Sequence, residues 1–165
     1  AHDVARRFHG EVHVQLDEPL LADIIAGRIP GTTDFDSIPA VPEEVVLESL
    51  LAFEVDYVHA APIWSVARAA KTFLVDSRFR QQLSTPQHYD GLGEHLSAGY
   101  RIGLGIPGKD EREEAIALAS HLDRIGMPRE LLVDHFDVFP SAASASSLRS
   151  VTETADILVR DAGDL

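Results

Sequence analysis

Side chains that could take part in binding or catalysis follow the apolar runs that predict strands. Asp17 and Glu18 come directly after the alternating run "VHVQL", and carboxylates at this point could bind an amino group. His59 closes a second β-rich run and could ligate a metal or act as a general base. A third polar group, Asp-Ser-Arg at residues 76–78, carries a guanidinium that could orient a ligand carboxylate.

Each of these residues also has a structural interpretation. Asp17 could cap the helix predicted after it, with Pro19 in the first turn, while the glutamate between them faces a ligand. His59 could be a hydrogen-bonded residue at a strand end with no chemical role. Asp76 and Arg78 could form an ion pair that closes their own loop. The sequence leaves both interpretations open.

Five predicted strands alternate with helices along the chain. The strands are predicted at residues 12–16, 55–59, 72–75, 101–106 and 136–139. The helices are predicted at residues 3–8, 20–26, 43–51, 63–71, 92–99, 110–125, 129–133 and 147–161. Alternation without a hairpin predicts an α/β fold of parallel (β/α) units, in one domain over residues 1–165. Polar residues after the strands are then expected at one rim, where such folds hold their sites.

Two further segments have the composition of anion-binding loops. The stretch "GLGIPG" at residues 103–108 lacks the spacing of the glycine-rich nucleotide motifs, so close backbone packing explains it better. The stretch "SAASASS" at residues 141–147 predicts a plain loop, although backbone N–H groups before a helix could also hold an anion. Lys109 and Asp110 follow the glycine-rich strand and are expected at the rim.

The composition excludes several classes of partner and site. Fourteen basic against 27 acidic residues give the 165-residue chain a net charge of -13, which repels nucleic acid and anionic lipid surfaces. No long apolar run or signal-peptide pattern occurs, so a cytoplasmic location without a membrane partner is predicted. Cysteine is absent, which removes disulfides, thiolate catalysis and every zinc site built on sulfur.

Five segments together resemble the catalytic barrel of cobalamin-independent methionine synthase and its relatives in the uroporphyrinogen decarboxylase superfamily. The resemblance covers about residues 10–146 and follows the family's order. The matching segments are "VQLDEPLL" with its Asp-Glu-Pro, "YVHAAP", "FLVDSR", the glycine-rich "RIGLGIPG", and "VFPSAASA". The Asp-Glu-Pro segment after a strand is the most specific of them. The resemblance implies the last five strands of a TIM barrel.

The resemblance also implies a reaction, the transfer of a methyl group to a thiol such as homocysteine in methionine biosynthesis. It also implies a substrate site at the rim that binds an amino acid or a thiol. The residues of this site would be Asp17, Glu18, Ser77 and Arg78. Family members activate the thiol with zinc held by His, Cys, Glu and Cys. At these four positions this chain has His59, Ala61, Val75 and Ala142. The zinc site is therefore expected to be lost, with His59 and Asp76 as the residual ligand candidates.

The length of the chain leads to an expectation about partners. A complete (β/α)8 barrel takes about 250 residues, and five parallel strands would leave two exposed sheet edges. We therefore expect that a partner chain, a second copy or a missing N-terminal segment completes the sheet, or that the strands rearrange; with a missing segment, this chain would be the C-terminal part of a larger barrel.

Three functions compete on this sequence. The first is a methyltransferase of the methionine synthase type. The second is a non-catalytic descendant of that barrel that binds a small molecule or serves as a scaffold. A DNA-binding regulator with a helix-turn-helix near residues 130–150 is disfavoured by the acidic charge and by Pro140 within the motif.

Overall fold

The computed structural model describes residues 7, 9–33, 37–76, 82–107, 110–142, 144–161 and 164–165. The chain divides into two compact units, Ala1–Phe73 and Leu74–Leu165, with the boundary inside the third strand. The helix predicted at residues 3–8 lies almost wholly outside the described residues. The single domain over residues 1–165 stays a prediction.

Strands and helices alternate along both units. The strands are β1 (Gln15–Asp17), β2 (Tyr57–His59), β3 (Thr72–Val75), β4 (Arg101–Ile106) and β5 (Phe136–Pro140). The first unit has the helices α1 (Leu21–Ile25), α2 (Glu43–Ala52) and α3 (Trp64–Ala67). The second unit has a 3-10 helix (Gln82–Ser84) followed by α4 (Pro86–Ser97), α5 (Glu111–Arg124), α6 (Leu131–His135) and α7 (Ala145–Asp161).

The strands form one five-stranded parallel sheet in the order β1-β2-β3-β4-β5. This confirms the prediction of an α/β fold made of parallel β/α units. Consecutive parallel strands that lie side by side are also the arrangement found in a (β/α)8 barrel. Since each strand is joined to its neighbour through helices, residues that follow successive strands come to the same edge within each unit.

The first unit is organised around β2 and the start of β3. Val58 and Phe73 are fully buried, and Leu21 from α1 and Leu50 from α2 complete the apolar interior on the helix side. The helix predicted at residues 63–71 is much shorter, because α3 ends at Ala67 and a turn leads the chain into β3. This turn places the start of β3 beside the start of β2, where Thr72 N–H donates to the carbonyl of Asp56 at 3.0 Å.

Strand β1 begins at Gln15, three residues later than the sequence predicts. At Val14 the backbone N–H donates to the side chain of Asp56 at 3.0 Å, so a carboxylate replaces the backbone partner that a strand would supply. The Val14 carbonyl accepts two N–H groups, from Asp56 at 2.9 Å and Tyr57 at 3.1 Å. Regular pairing with β2 therefore starts only after this contact.

The second unit is organised around β4, whose residues from Ile102 to Ile106 are all buried. Near-continuous burial is typical of a strand in a parallel sheet covered on both faces. An added Cβ at Gly103 would overlap the Cδ2 atom of Leu74 on β3 and would lie 3.5 Å from Phe139 on β5. The interpretation of the glycine-rich strand as a site of close packing is confirmed at this position.

Two helices of the second unit start earlier than predicted. Helix α4 begins at Pro86 rather than at residue 92, since Thr85 is extended and proline is favoured in a first turn. Helix α7 begins at Ala145, two residues early, because the Ser144 hydroxyl accepts the N–H of Ser147 at 3.1 Å and caps the helix. Helix α5 matches its prediction to within one residue at each end, with Asp110 as its cap.

Candidate functional site

Asp17 and His59 form a hydrogen-bonded pair at the carboxyl ends of β1 and β2. The Oδ1 atom of Asp17 lies 2.8 Å from Nδ1 of His59. Because a carboxylate can only accept a hydrogen bond, the imidazole carries a proton on Nδ1 in this contact. The structure therefore brings together two of the residues that the sequence singles out.

The backbone fixes this pair without help from a loop. Asp17 and His59 are direct partners in the register of the two parallel strands, and side chains at matched positions leave the sheet on the same face. The pairing continues one step further, since Glu18 N–H donates to the His59 carbonyl at 3.0 Å. Pro19 then supplies no N–H and the strand ends. The pair is thus set by strand register.

The two side chains differ strongly in exposure. The side chain of Asp17 is 65% exposed, whereas that of His59 is 13% exposed and its Nε2 atom is buried. Within the described part of the chain, the second carboxylate oxygen of Asp17 makes no hydrogen bond. Asp17 can therefore accept a hydrogen bond from a ligand, while the imidazole holds its carboxylate in place.

Glu18, and not Asp17, accepts a backbone hydrogen bond just before α1. The Oε1 atom of Glu18 accepts the N–H of Leu20 at 3.0 Å, so this backbone N–H just before α1 has a hydrogen-bond partner. The helix starts at Leu21 without a side-chain cap, and Pro19 lies before its first turn. The interpretation of Asp17 as the cap is wrong, because its carboxylate bonds to His59 instead. Glu18 can meet a ligand only through its second oxygen or by giving up its own contact.

The other predicted site residues belong to the second unit. Asp76 follows the last residue of β3 and is half-buried. Ser77 and Arg78, proposed for substrate binding, and Lys109, expected at the rim, lie outside the described residues. Asp110 accepts the N–H of Glu113 at 2.9 Å and serves as the cap of α5.

The residues described do not fit a zinc site. No group of three or more histidine, aspartate or glutamate side chains converges on one point in the described ranges. Ala61 and Ala142 stand at two of the family's ligand positions and carry no donor atom. His59 already directs Nδ1 to Asp17. Zinc needs three or four protein ligands, so this donor set does not hold it.

A second charged cluster lies at the opposite end of β2, and the sequence interpretation missed it. The Asp56 carboxylate is buried and contacts the Lys71 ammonium group, with His13 Nδ1 at 3.5 Å. The hydrogen bond from Lys71, together with that from Val14 N–H, holds the pKa of Asp56 below its ordinary value. The same contact raises the pKa of Lys71.

This cluster has a structural role, since it joins the starts of the first three strands. A usable signal was present, because Asp56 precedes β2 and Lys71 precedes β3 by one residue each. Parallel neighbours place such equivalent positions side by side. The pair of Asp17 and His59 therefore lies at the carboxyl end of β2, whereas the ion pair of Asp56 and Lys71 lies at the amino end of the same strand.

Comparisons with protein-family models, with curated proteins and with solved structures found no match to this chain. The family resemblance thus rests on the residues and motifs quoted above. Among the helices that the structure describes, none has the length and apolar character needed to cross a membrane.

Proposed function

We propose that this chain is a methionine synthase-like α/β protein that binds an amino acid or thiol, such as homocysteine, without zinc. The observation that carries the proposal is the contact between Asp17 and His59, with one carboxylate oxygen left open. An amino acid offers an ammonium group, and a carboxylate oxygen is the matching acceptor in a charge-assisted hydrogen bond.

In this proposal His59 is a positioning residue. Its hydrogen bond limits the rotation of the Asp17 side chain, so less conformational entropy is lost when the ligand binds. The buried Nε2 atom makes the imidazole a poor general base for an incoming ligand. Ser77 and Arg78, which the resemblance also assigns to the substrate, lie outside the described residues and carry no part of this proposal.

Methyl transfer to a thiol is the second candidate function. It is favoured by one observation, that His59, at the family's first zinc-ligand position, ends β2 beside the aspartate of the Asp-Glu-Pro segment. The reaction requires an activated thiol, and the described donor set does not fit the metal that provides this activation in the family. Ligand binding without catalysis is therefore proposed first.

Calorimetry with zinc-free protein separates the two functions. Homocysteine is expected to bind, and an analogue that lacks only the amino group is expected to bind at least tenfold more weakly, about 1.4 kcal/mol. Metal analysis of the protein as purified is expected to find no stoichiometric zinc. Stoichiometric zinc bound through His59 would favour the methyltransferase. If homocysteine bound neither the zinc-free protein nor the protein with added zinc, both functions would be contradicted.

A further inference from the structure

Helix α7 buries three small hydroxyl side chains and one leucine, and it leaves other aliphatic side chains exposed. Its buried positions are Ser147, Ser150, Thr154 and Leu158, spaced as one helical stripe. A second stripe, one residue along and so rotated by about 100°, is aliphatic: Leu148, Val151, Ala155 and Val159. Leu148 is 58% exposed and Val159 is 68% exposed. Val151 and Ala155, between them, are half-buried, so the aliphatic stripe lies along the side of α7 and is only partly open to solvent.

Three residues of this stripe, Val151, Ala155 and Val159, form one wall of an open groove of about 360 Å³. The other walls are α6, through Leu132 and Val133, and β5, through Val138. In the described sheet, β5 is the last strand in the order, and no strand pairs with its outer edge. The groove thus runs beside an open sheet edge and is lined mainly by aliphatic side chains.

The charges at the groove are acidic. Asp137 and Asp156 line it, and no lysine or arginine does so among the residues described. Asp137 is paired with Arg101, whose Nε and Nη2 atoms donate to its two carboxylate oxygens at 3.0 and 2.6 Å. Asp156 is exposed, and Asp134 is exposed on α6. A cationic partner is therefore favoured at this surface.

A second copy of the chain is a poor occupant. Each copy carries a net charge of -13, and some of its acidic side chains lie at the groove itself, so two copies repel each other there. The part of α7 that lines the groove, from Val151 to Val159, spans about 12 Å, or roughly two helical turns. A surface of this length fits a helix that presents apolar residues at i, i+3, i+4 and i+7.

We infer that the groove between α6, β5 and α7 docks an amphipathic helix of a partner protein, with aliphatic anchors on one face and lysine or arginine at its flanks. The anchors fill the space between Val133 and Val159, and the basic flanks meet Asp156 and Asp134. This surface lies wholly within the second unit and is independent of the proposed ligand site at Asp17.

A peptide of about 14 residues, made only of leucine at the anchor positions and lysine elsewhere, tests the inference on the full chain. Fluorescence anisotropy is expected to show saturable binding. Val133→Ser and Val159→Ser, both at exposed positions, should each weaken it by about fivefold. Asp156→Asn should weaken it and reduce its dependence on salt. The matched controls Leu51→Ser and Glu48→Gln, on α2 of the first unit, should leave it unchanged.

Four outcomes would overturn the inference. If the peptide bound the groove variants as tightly as the wild type, its binding would reflect attraction to the acidic chain as a whole. Equal binding of a leucine and glutamate peptide would remove the charge argument. Self-association abolished by Val159→Ser would make the groove a contact between copies. Hydrogen-exchange protection confined to β5, without α6 and α7, would indicate strand addition at the sheet edge instead.

Discussion

The carboxylate of Asp17 accepts a hydrogen bond from Nδ1 of His59 at 2.8 Å, and the two residues are register partners on adjacent parallel strands. One side chain is largely exposed and the other is nearly buried. The exposed acid is thus oriented by a fixed imidazole. Strand register, which also builds the sheet, produces this arrangement.

Substitution of Asp17 should separate binding from stability. Asp17→Asn preserves the size of the side chain, but it removes the charge that an ammonium group would contact. We expect homocysteine binding to weaken by at least tenfold, with a loss of unfolding free energy below about 1 kcal/mol because the site is exposed. Calorimetry and urea unfolding measure the two effects. Glu48→Gln, at an exposed position of α2, is the matched control, and an equal loss of affinity there would contradict a specific contact with Asp17.

The ion pair of Asp56 and Lys71 should give the stability of the protein a defined pH dependence. The pKa of Asp56 is lowered from 3.8, so its contribution is present above that value and is lost as the pH falls through the lowered pKa. The pKa of Lys71 is raised from 10.5, so its contribution is present below that value and is lost as the pH rises through the raised pKa.

The variant Lys71→Met should lose less stability than the wild type when the pH is lowered into acid or raised into strong base. Urea unfolding at a series of pH values would measure both changes. Its stability should fall furthest below the wild type near neutral pH and approach it in strong acid. Arg28→Met removes a cation from the exposed pair with Asp23 and is the matched control. Identical pH profiles for wild type and Lys71→Met would contradict the assigned contact.

Two glycine substitutions should act in opposite directions. Gly103→Ala places a methyl group against Leu74, and we expect it to destabilise the protein by about 1–3 kcal/mol. Gly93→Ala in α4 meets no atom closer than 3.9 Å, at Met127, and should stabilise it by about 0.5–1 kcal/mol. Thermal unfolding measures both. A neutral Gly103→Ala would show that β3 and β4 do not pack as closely as described.

The cap of α5 should depend on the acceptor oxygen of Asp110. Asp110→Ala removes the bond to the Glu113 N–H and should cost about 1 kcal/mol. Asp110→Asn keeps an acceptor and should cost less. Urea unfolding compares the two variants, and equal losses would mean that charge at the helix start, rather than the hydrogen bond, stabilises this end.

The sequence predicted the parts of the fold that depend on local pattern. The alternation of apolar runs with helices was enough for parallel β/α units, and Asp110 marked the start of α5 correctly. The apolar spacing after Leu92 predicts a later start for α4 than the observed one, and Thr85-Pro86 carries the signal for the true start. The late start of β1 was not predictable from that segment, since it depends on the Asp56 side chain 42 residues away.

The sequence named Asp17 and His59 as candidate residues, but it did not predict the contact between them. The sequence placed Asp17 and His59 at strand ends on one rim, and the register of the two strands makes them direct partners. The local sequence could not decide which of Asp17 and Glu18 accepts the backbone N–H just before α1, because both side chains offer carboxylate oxygens. The register of β1 against β2 decides it, since only Asp17 lies opposite His59.

A two-by-two calorimetric cycle tests the proposed site most directly. Homocysteine and its analogue without the amino group are each titrated into zinc-free wild-type protein and into Asp17→Asn. If the ammonium group meets Asp17, the amino group should improve affinity at least tenfold in the wild type, about 1.4 kcal/mol, and should add almost nothing in the variant. An equal advantage of the amino group in both proteins, or no binding of homocysteine to the wild type, would contradict the proposed site.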